Sequence, residues 1–268
     1  MSPSPSSPSS PVADLDPLVE TARKAAIKGG EVVRDDRGAR AALAKAAGDY
    51  VTEVDTASER AIKRLLESET PHVPILGEEE GGEGGDLYWA VDPLDGTTNF
   101  VHRFPIVGVS VALVQDGSPI LGAVHAPFLG TTWTAARGSG AFRDGEPIRV
   151  SSRPVSTAVV GTGFPFRHKE RLPRYLGAMK AALHRFEDLR RPGAASLDLA
   201  WVAEGVFDGF FELGLAGWDV AAGGLLIEEA GGVVTDWAGG TGWLDGDIIA
   251  GSPAVHAELL RLVSEASA

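Results

Sequence analysis

Apolar and polar residues follow two different rhythms along the chain. In "DLDPLVETARKAAIKGGEVV" apolar positions recur three and four residues apart, which predicts a helix with one buried face. Asp16 is a candidate N-cap for it, and Pro17 suits the first helical position. "DTASERAIKRLLES" predicts a second helix with Ile62, Leu65 and Leu66 as its stripe, ended by "ETPHVP". "LYWAV" reads as a strand. Short β segments follow: "IVGVSVALV", "PILGAVHAP", "TTWTAA" and "PIRV". "QDGS" and "RDGE" carry hairpin-type Asp-Gly signals between some of them, so an antiparallel meander is expected. Beyond residue 153 the rhythm changes. "AVVGTGF", "DGFFEL", "GVVTD" and "DIIAG" predict strands, and "RLPRYLGAMKAALHRF", "AASLDLAWVAEG", "DVAAGGLLIEEAG" and "PAVHAELLRLVSEA" predict helices. The expected organisation is a Ser/Pro tail over 1–14, an α+β half with an antiparallel sheet over 15–153, and an α/β half over 154–268.

Composition narrows the function. The chain has 268 residues, 44% of them hydrophobic, which is enough to bury a core. Its 37 acidic residues outnumber 24 basic ones, for a net charge of −13. No dense Lys/Arg block offers a phosphate-neutralising face, which argues against nucleic acid. There is no cysteine, so disulfides, thiolate nucleophiles and Cys-based metal sites are excluded. The start "MSPSPSSPSSPVAD" lacks the basic and apolar regions of a signal peptide and reads as a disordered tail. No apolar run approaches the ~20 residues that span a bilayer. A soluble, cytoplasmic protein is expected. The six histidines show no ligand spacing, "RGSGAF" lacks the third glycine of a dinucleotide fingerprint, and no P-loop is present.

The chemistry concentrates in "WAVDPLDGTTNF", where Asp92 and Asp95 flank Pro93 at the end of a strand. Asp-Pro followed by Asp-Gly favours a tight turn that faces both carboxylates to one point. Two unit charges ~4 Å apart repel by about 4 kcal/mol at an effective dielectric near 20. A shared proton, basic partners or a hard divalent cation such as Mg²⁺ would relieve this, and the stretch holds no basic residue before Arg103. Gly96 permits close approach of a ligand to the backbone, and a helix starting at Thr97 or Thr98 would present N–H groups to an anion. Glu78 and Glu79 follow an apolar tripeptide, Asp55 precedes a helix, and Asp219 opens one. Each also has an ordinary reading as loop acid or helix cap, and for Glu80 and Glu83 a solvated loop is preferred. Trp89 and Trp218 precede proposed ligand segments and are expected to steady them by packing.

"GEE", "DPLDGTTNF" and "WDVAAGG", in that order and spacing, resemble the signature of the inositol monophosphatase family. These belong to the magnesium-dependent, lithium-sensitive phosphatases that include fructose-1,6-bisphosphatase. "DYVTEVD", "GTGFPFR", "RRPGAASLDLA" and "DGFFELGL" are similar to its bacterial branch. The resemblance covers about residues 15 to 265. It implies a layered α/β sandwich of the sugar-phosphatase type and hydrolysis of a small phosphate monoester, most naturally myo-inositol 1-phosphate. It further implies that Glu78, Asp92 and the Leu94 carbonyl hold one Mg²⁺, that Asp92, Asp95 and Asp219 hold a second, and that a weaker third ion lies near Glu78. Thr97 and Asp55 would act with Glu78 in catalysis by orienting a metal-activated water. Gly96, Thr97, Ala195, Ser196, Glu212 and Asp219 would contact substrate, with Glu79 in support. A homodimer is implied as well. Fructose 1,6-bisphosphate, histidinol phosphate and nucleotide 3′-phosphates are alternative substrates, and action with the transcription machinery is a rival role. Arg167, His168, Arg190 and Arg191 are the clustered basic candidates for a second phosphate, with a solvated patch or dimer contact as their preferred reading.

Overall fold

A computed structural model describes residues 15–36, 42–46 and 49–266; the Ser/Pro segment lies outside them. Seven helices are found among these residues: α1 (Asp16–Asp35), α2 (Glu53–Glu69), α3 (Thr97–Val101), α4 (Leu172–Arg185), α5 (Ala195–Ala203), α6 (Gly217–Glu229) and α7 (Pro253–Glu265). A hairpin pairs β1 (Ala42–Ala46) with β2 (Asp49–Thr52). A seven-stranded sheet runs in chain order through β3 (Ile75–Gly77), β4 (Leu87–Asp95), β5 (Gly108–Gln115), β6 (Ser118–Ala126), β7 (Thr131–Ala136), β8 (Gly140–Arg143) and β9 (Glu146–Pro147). Only its β3–β4 pair is parallel. A second, mixed sheet contains β10 (Val159–Thr162), β11 (Asp188–Arg190), β12 (Gly209–Glu212), β13 (Val233–Thr235) and β14 (Ile248–Gly251), in the order β11-β10-β12-β14-β13.

Strand alternation sorts the core into layers. Trp89, Val91, Val109, Val111 and Leu113 face α1 and α2, whose Ala22, Ala25, Ile62 and Leu66 close that side. Ala90, Ala112, Val114 and Val124 face the other way, onto α5 and α6. Phe210, Ile248 and Ala250 of the second sheet cover the far side of those two helices. Val160, Phe211 and Ile249 then meet Tyr175, Ala178, Leu259 and Val263 of α4 and α7. The result is five layers, helix–sheet–helix–sheet–helix. Helix α6 is buried from Asp219 through Ile227 because it lies between two sheets, and its alanines and glycines allow that close packing.

Several local expectations are corrected. Leu15, not Asp16, takes the N-cap of α1, which places Asp16 in the first turn beside Pro17. Helix α2 starts at Glu53, so Asp55 lies inside it and is not its cap. Of "PIRV" only Pro147 joins a strand, while "GAFR" forms the unexpected β8. Strand β4 does not stop at Val91 but runs to Asp95. A bulge lets it do so: Asp92 pairs with Ser110 and Asp95 with Gly108, so Pro93 and Leu94 together face Val109. Pro93 has no N–H to leave unpaired at the break.

Candidate active site

The bulge turns the end of β4 into a cluster of directed acceptors. Leu94 N–H donates to Asp92 Oδ1 at 3.0 Å. Asp95 Oδ2 accepts from the Ser196 N–H at 2.7 Å and the Ser196 hydroxyl at 2.6 Å, across from α5. Gly96 then takes φ 90°, a left-handed value that a side chain resists, and starts the short α3. Thr97 Oγ1 lies within donating distance of Asp55 Oδ1 (3.0 Å) and of the Leu94 carbonyl (3.1 Å). Asp219 sits in the first turn of α6, where its Oδ2 accepts the Ala216 N–H at 2.8 Å. Its capping role is therefore real, and it uses one of the two carboxylate oxygens. Asn99 donates to the carbonyls of Ile106 (2.7 Å) and Pro192 (2.9 Å), tying "TTNF" to the loop before α5.

These elements converge on a cleft of about 460 Å³ lined by Glu78, Asp92, Leu94, Asp95, Gly96, Thr97, Ala195, Glu212 and Asp219, among others. Asp55 is fully buried behind Thr97. Ser196 is also fully buried, with both its donors on Asp95, so it braces that carboxylate and does not line the cleft as a substrate contact would. Three of the four clustered basic residues, Arg167, His168 and Arg191, line the cleft, and Arg167 and Arg191 are at the same time exposed to solvent. Arg191 stacks on Phe164 and Phe166, with its guanidinium carbon 5.3 and 5.5 Å from the ring centroids. Arg190 is exposed and pairs with Asp188. Glu80 lies exposed in the turn after β3, as expected, where it pairs with Arg60 and Lys63. Trp89 is buried in the core between the first sheet and α1 and α2, where its indole N–H donates to Thr70, and Trp218 packs partly buried against the core around α5 and α6.

Burial and mutual repulsion hold the acids on to their protons. Burial pushes Glu78 up to about 8, with Asp219 and Glu79 adding repulsion and Arg167 opposing it. Asp92 is raised well above the carboxylate range by burial, then by Glu78, Asp95 and Asp219. Burial raises Asp95 against the lowering bonds from Ser196, and brings Asp219 to about 6. Burial also takes Glu212 to about 8, with Arg191 pulling the other way. Asp198, which the sequence did not single out, is buried beneath the site with Oδ1 unpartnered; burial, then Glu212 and Asp95, raise it.

A metal ion can be tested against this geometry. Among the described residues, no three His, Cys, Asp or Glu side chains already form a closed cage for an ion. Asp92 nevertheless stands within side-chain hydrogen-bonding reach of both Glu78 and Asp219. Asp92, Asp95 and Asp219 are each held by backbone or hydroxyl donors, which keeps their carboxylates directed at one cleft. The donor set is entirely hard oxygen, which suits Mg²⁺ and not a soft metal. Like charges gathered in a buried cleft are what a divalent cation stabilises. The residues fit the ion.

The sequence and the fold both have relatives. The model of the inositol monophosphatase family matches residues 14–268. The putative Nus factor SuhB of Neisseria meningitidis serogroup B is 42% identical over 258 residues, which cover 93% of this chain and 99% of that one. The extragenic suppressor protein suhB of Bartonella henselae superposes with a TM-score of 0.89 at 36% identity, covering 93% of this chain and 99% of that one. An inositol monophosphatase from Anabaena superposes with a TM-score of 0.84 at 34% identity, covering 94% and 96%. The chain belongs to the inositol monophosphatase family, and its layered α/β fold is that family's.

Proposed function

We propose that this phosphatase-family chain is a magnesium-dependent enzyme that hydrolyses a small phosphate monoester, with myo-inositol 1-phosphate as its preferred substrate. The observation that carries the reading is the convergence of Glu78, Asp92, Asp95 and Asp219 on one cleft beside the Thr97–Asp55 pair. Glu78, Asp92 and the Leu94 carbonyl would hold one Mg²⁺, and Asp92, Asp95 and Asp219 a second, with a weaker third near Glu78. When bound, magnesium supplies Lewis acidity at the phosphoryl oxygens and makes water a better nucleophile near neutral pH. Thr97 donates its hydroxyl proton towards Asp55, which leaves its oxygen lone pairs facing the cleft to orient the attacking water. Backbone N–H groups of Gly96 and Thr97 hold phosphate oxygens. Because α3 has only five residues, these act as individual donors and not through a long helix dipole. Glu212 and the Ala195 backbone take the polyol hydroxyls. Glu79 supports Glu78. The homodimer and the cytoplasmic setting belong to the same proposal; among the described residues no helix is long and apolar enough to cross a membrane.

A panel of phosphate monoesters at fixed Mg²⁺ tests the substrate. The highest kcat/KM is expected for myo-inositol 1-phosphate, ahead of fructose 1,6-bisphosphate, histidinol phosphate and a nucleotide 3′-phosphate. Preference for the bisphosphate would instead assign Arg167 and Arg191 to a second phosphate. The relative named as a putative Nus factor favours a second reading, in which the chain also engages the transcription machinery. No turnover on any substrate would leave that reading alone.

A further inference from the structure

One face of α2 touches three segments of the site: the end of β4, the start of α3 and the turn after β3. Asp55 meets Thr97, Ser58 Oγ donates to the Pro93 carbonyl at 2.9 Å, and Glu59 reaches the turn that follows β3. Spacings of three and four residues put Asp55, Ser58, Glu59 and Lys63 on that face. Glu59 is fully buried. Its carboxylate accepts the N–H of Glu79 at 2.7 Å and of Glu80 at 3.0 Å, and Lys63 Nζ stands 2.7 Å from it. A buried charge with two amide donors and an ammonium is compensated, whereas removing one partner leaves the others unpaired.

Gly77 makes the approach possible, since a Cβ there would stand 2.3 Å from Glu59 Oε1. From the outside, Arg60 Nε holds the Glu80 carboxylate at 2.6 Å. The Gly77 N–H donates to the Gly81 carbonyl and the Glu78 N–H to that of Val91. The backbone on both sides of Glu78 is thereby fixed from α2 and from β4, and the Glu78 carboxylate is presented to Asp92.

We propose that Glu59, through the Glu79 and Glu80 amides, is the positioning residue that holds Glu78 against Asp92 and so sets the affinity for the divalent cation. Glu59 touches neither ion nor substrate. The inference rests on the magnesium reading above.

Magnesium titration of the full-length wild type, Glu59→Gln, Gly77→Ala and Asp95→Asn tests it, with Mg²⁺ alone as the calorimetric ligand and phosphate release as the second readout. Glutamine at 59 puts an N–H₂ where a carboxylate oxygen accepted, and alanine at 77 pushes the carboxylate off the turn. Both variants are expected to bind Mg²⁺ about tenfold more weakly, the lower end of what supporting residues around metal ligands contribute. Half-saturating Mg²⁺ for turnover should rise in step, with kcat at saturating Mg²⁺ close to wild type. A merely structural role would lower the melting temperature without moving the isotherm. If Glu59→Gln does not fold, Gly77→Ala decides alone. An unchanged magnesium affinity in a folded variant, or a kcat lost at saturating Mg²⁺ with the half-saturation unmoved, overturns the inference. A wild type that takes up no magnesium removes the metal reading and this inference with it. Binding present in wild type, lost in Asp95→Asn and unchanged in Glu59→Gln removes this inference only.

Discussion

Replacing Asp95 with asparagine is expected to lower turnover on the order of a thousandfold while leaving the fold intact. Asparagine is isosteric. Its amide oxygen can keep the bonds that Asp95 Oδ2 accepts from the Ser196 N–H and hydroxyl. Its N–H₂ group must then face the cleft, where a cation would meet donors in place of an anionic oxygen. Metal stabilisation of a developing phosphoryl charge contributes several kcal/mol. Each ~1.4 kcal/mol is tenfold in rate, so losing about three such steps gives the stated factor. Stability should move the other way. Asp95 adds to the repulsion on Asp92 and Asp219, so neutralising it should hold or raise the melting temperature in EDTA. Steady-state phosphate release and thermal melting on the same preparation check both halves. Wild-type turnover would refute the role given to Asp95.

Magnesium is expected to raise the melting temperature by several degrees, and by more at pH 8 than at pH 6. Glu78 and Glu212 rise from the ordinary 4.5 to about 8 in the folded chain. Between those values the folded state binds more protons than the unfolded one, so metal-free stability falls as pH rises through that window. A cation competes with those protons at Glu78 and Asp219, and its stabilisation therefore grows as they leave. At a hundredfold excess over Kd, binding adds about 2.7 kcal/mol. For a chain of this size that corresponds to about 5–10 °C. Melts in EDTA and in excess Mg²⁺ at the two pH values give the comparison. A gap that narrows towards pH 8 would contradict the carboxylate cluster as the binding site.

Much of the fold can be read from the chain where elements are long and their periods clear. Helices α4 to α7 and strands β5 to β7 lie close to their predicted places because burial on one or both faces leaves a strong pattern. Strands β3 and β11 do not announce themselves. Each has three residues and pairs in parallel at a sheet edge, too short for alternation to show. Strand β4 outruns its expected end because a bulge accommodates Pro93, and local turn signals cannot tell a bulge from a strand's end.

The site divides in the same way. Glu78, Asp92, Asp95 and Asp219 are visible as acids at element ends, and the structure brings all four to one cleft. Glu59 and Lys63 are four residues apart on a helix and look like an ordinary solvated ion pair. Only the crossing of the β3–β4 turn over α2 buries the glutamate and gives it two backbone amides. Ser196 shows the converse. Its motif points to a substrate contact, but the geometry commits its hydroxyl and N–H to Asp95. Arg167 and Arg191 also change meaning with tertiary structure, since nothing local shows that they face an acidic cleft.

Phosphate release by the wild-type chain from myo-inositol 1-phosphate, measured in EDTA and again after Mg²⁺ is restored in excess, tests the central claim most directly. The predicted result is background release in EDTA and full recovery with Mg²⁺. Equal release in both conditions would contradict a metal-assisted phosphatase built on Asp92, Asp95, Asp219 and Glu78.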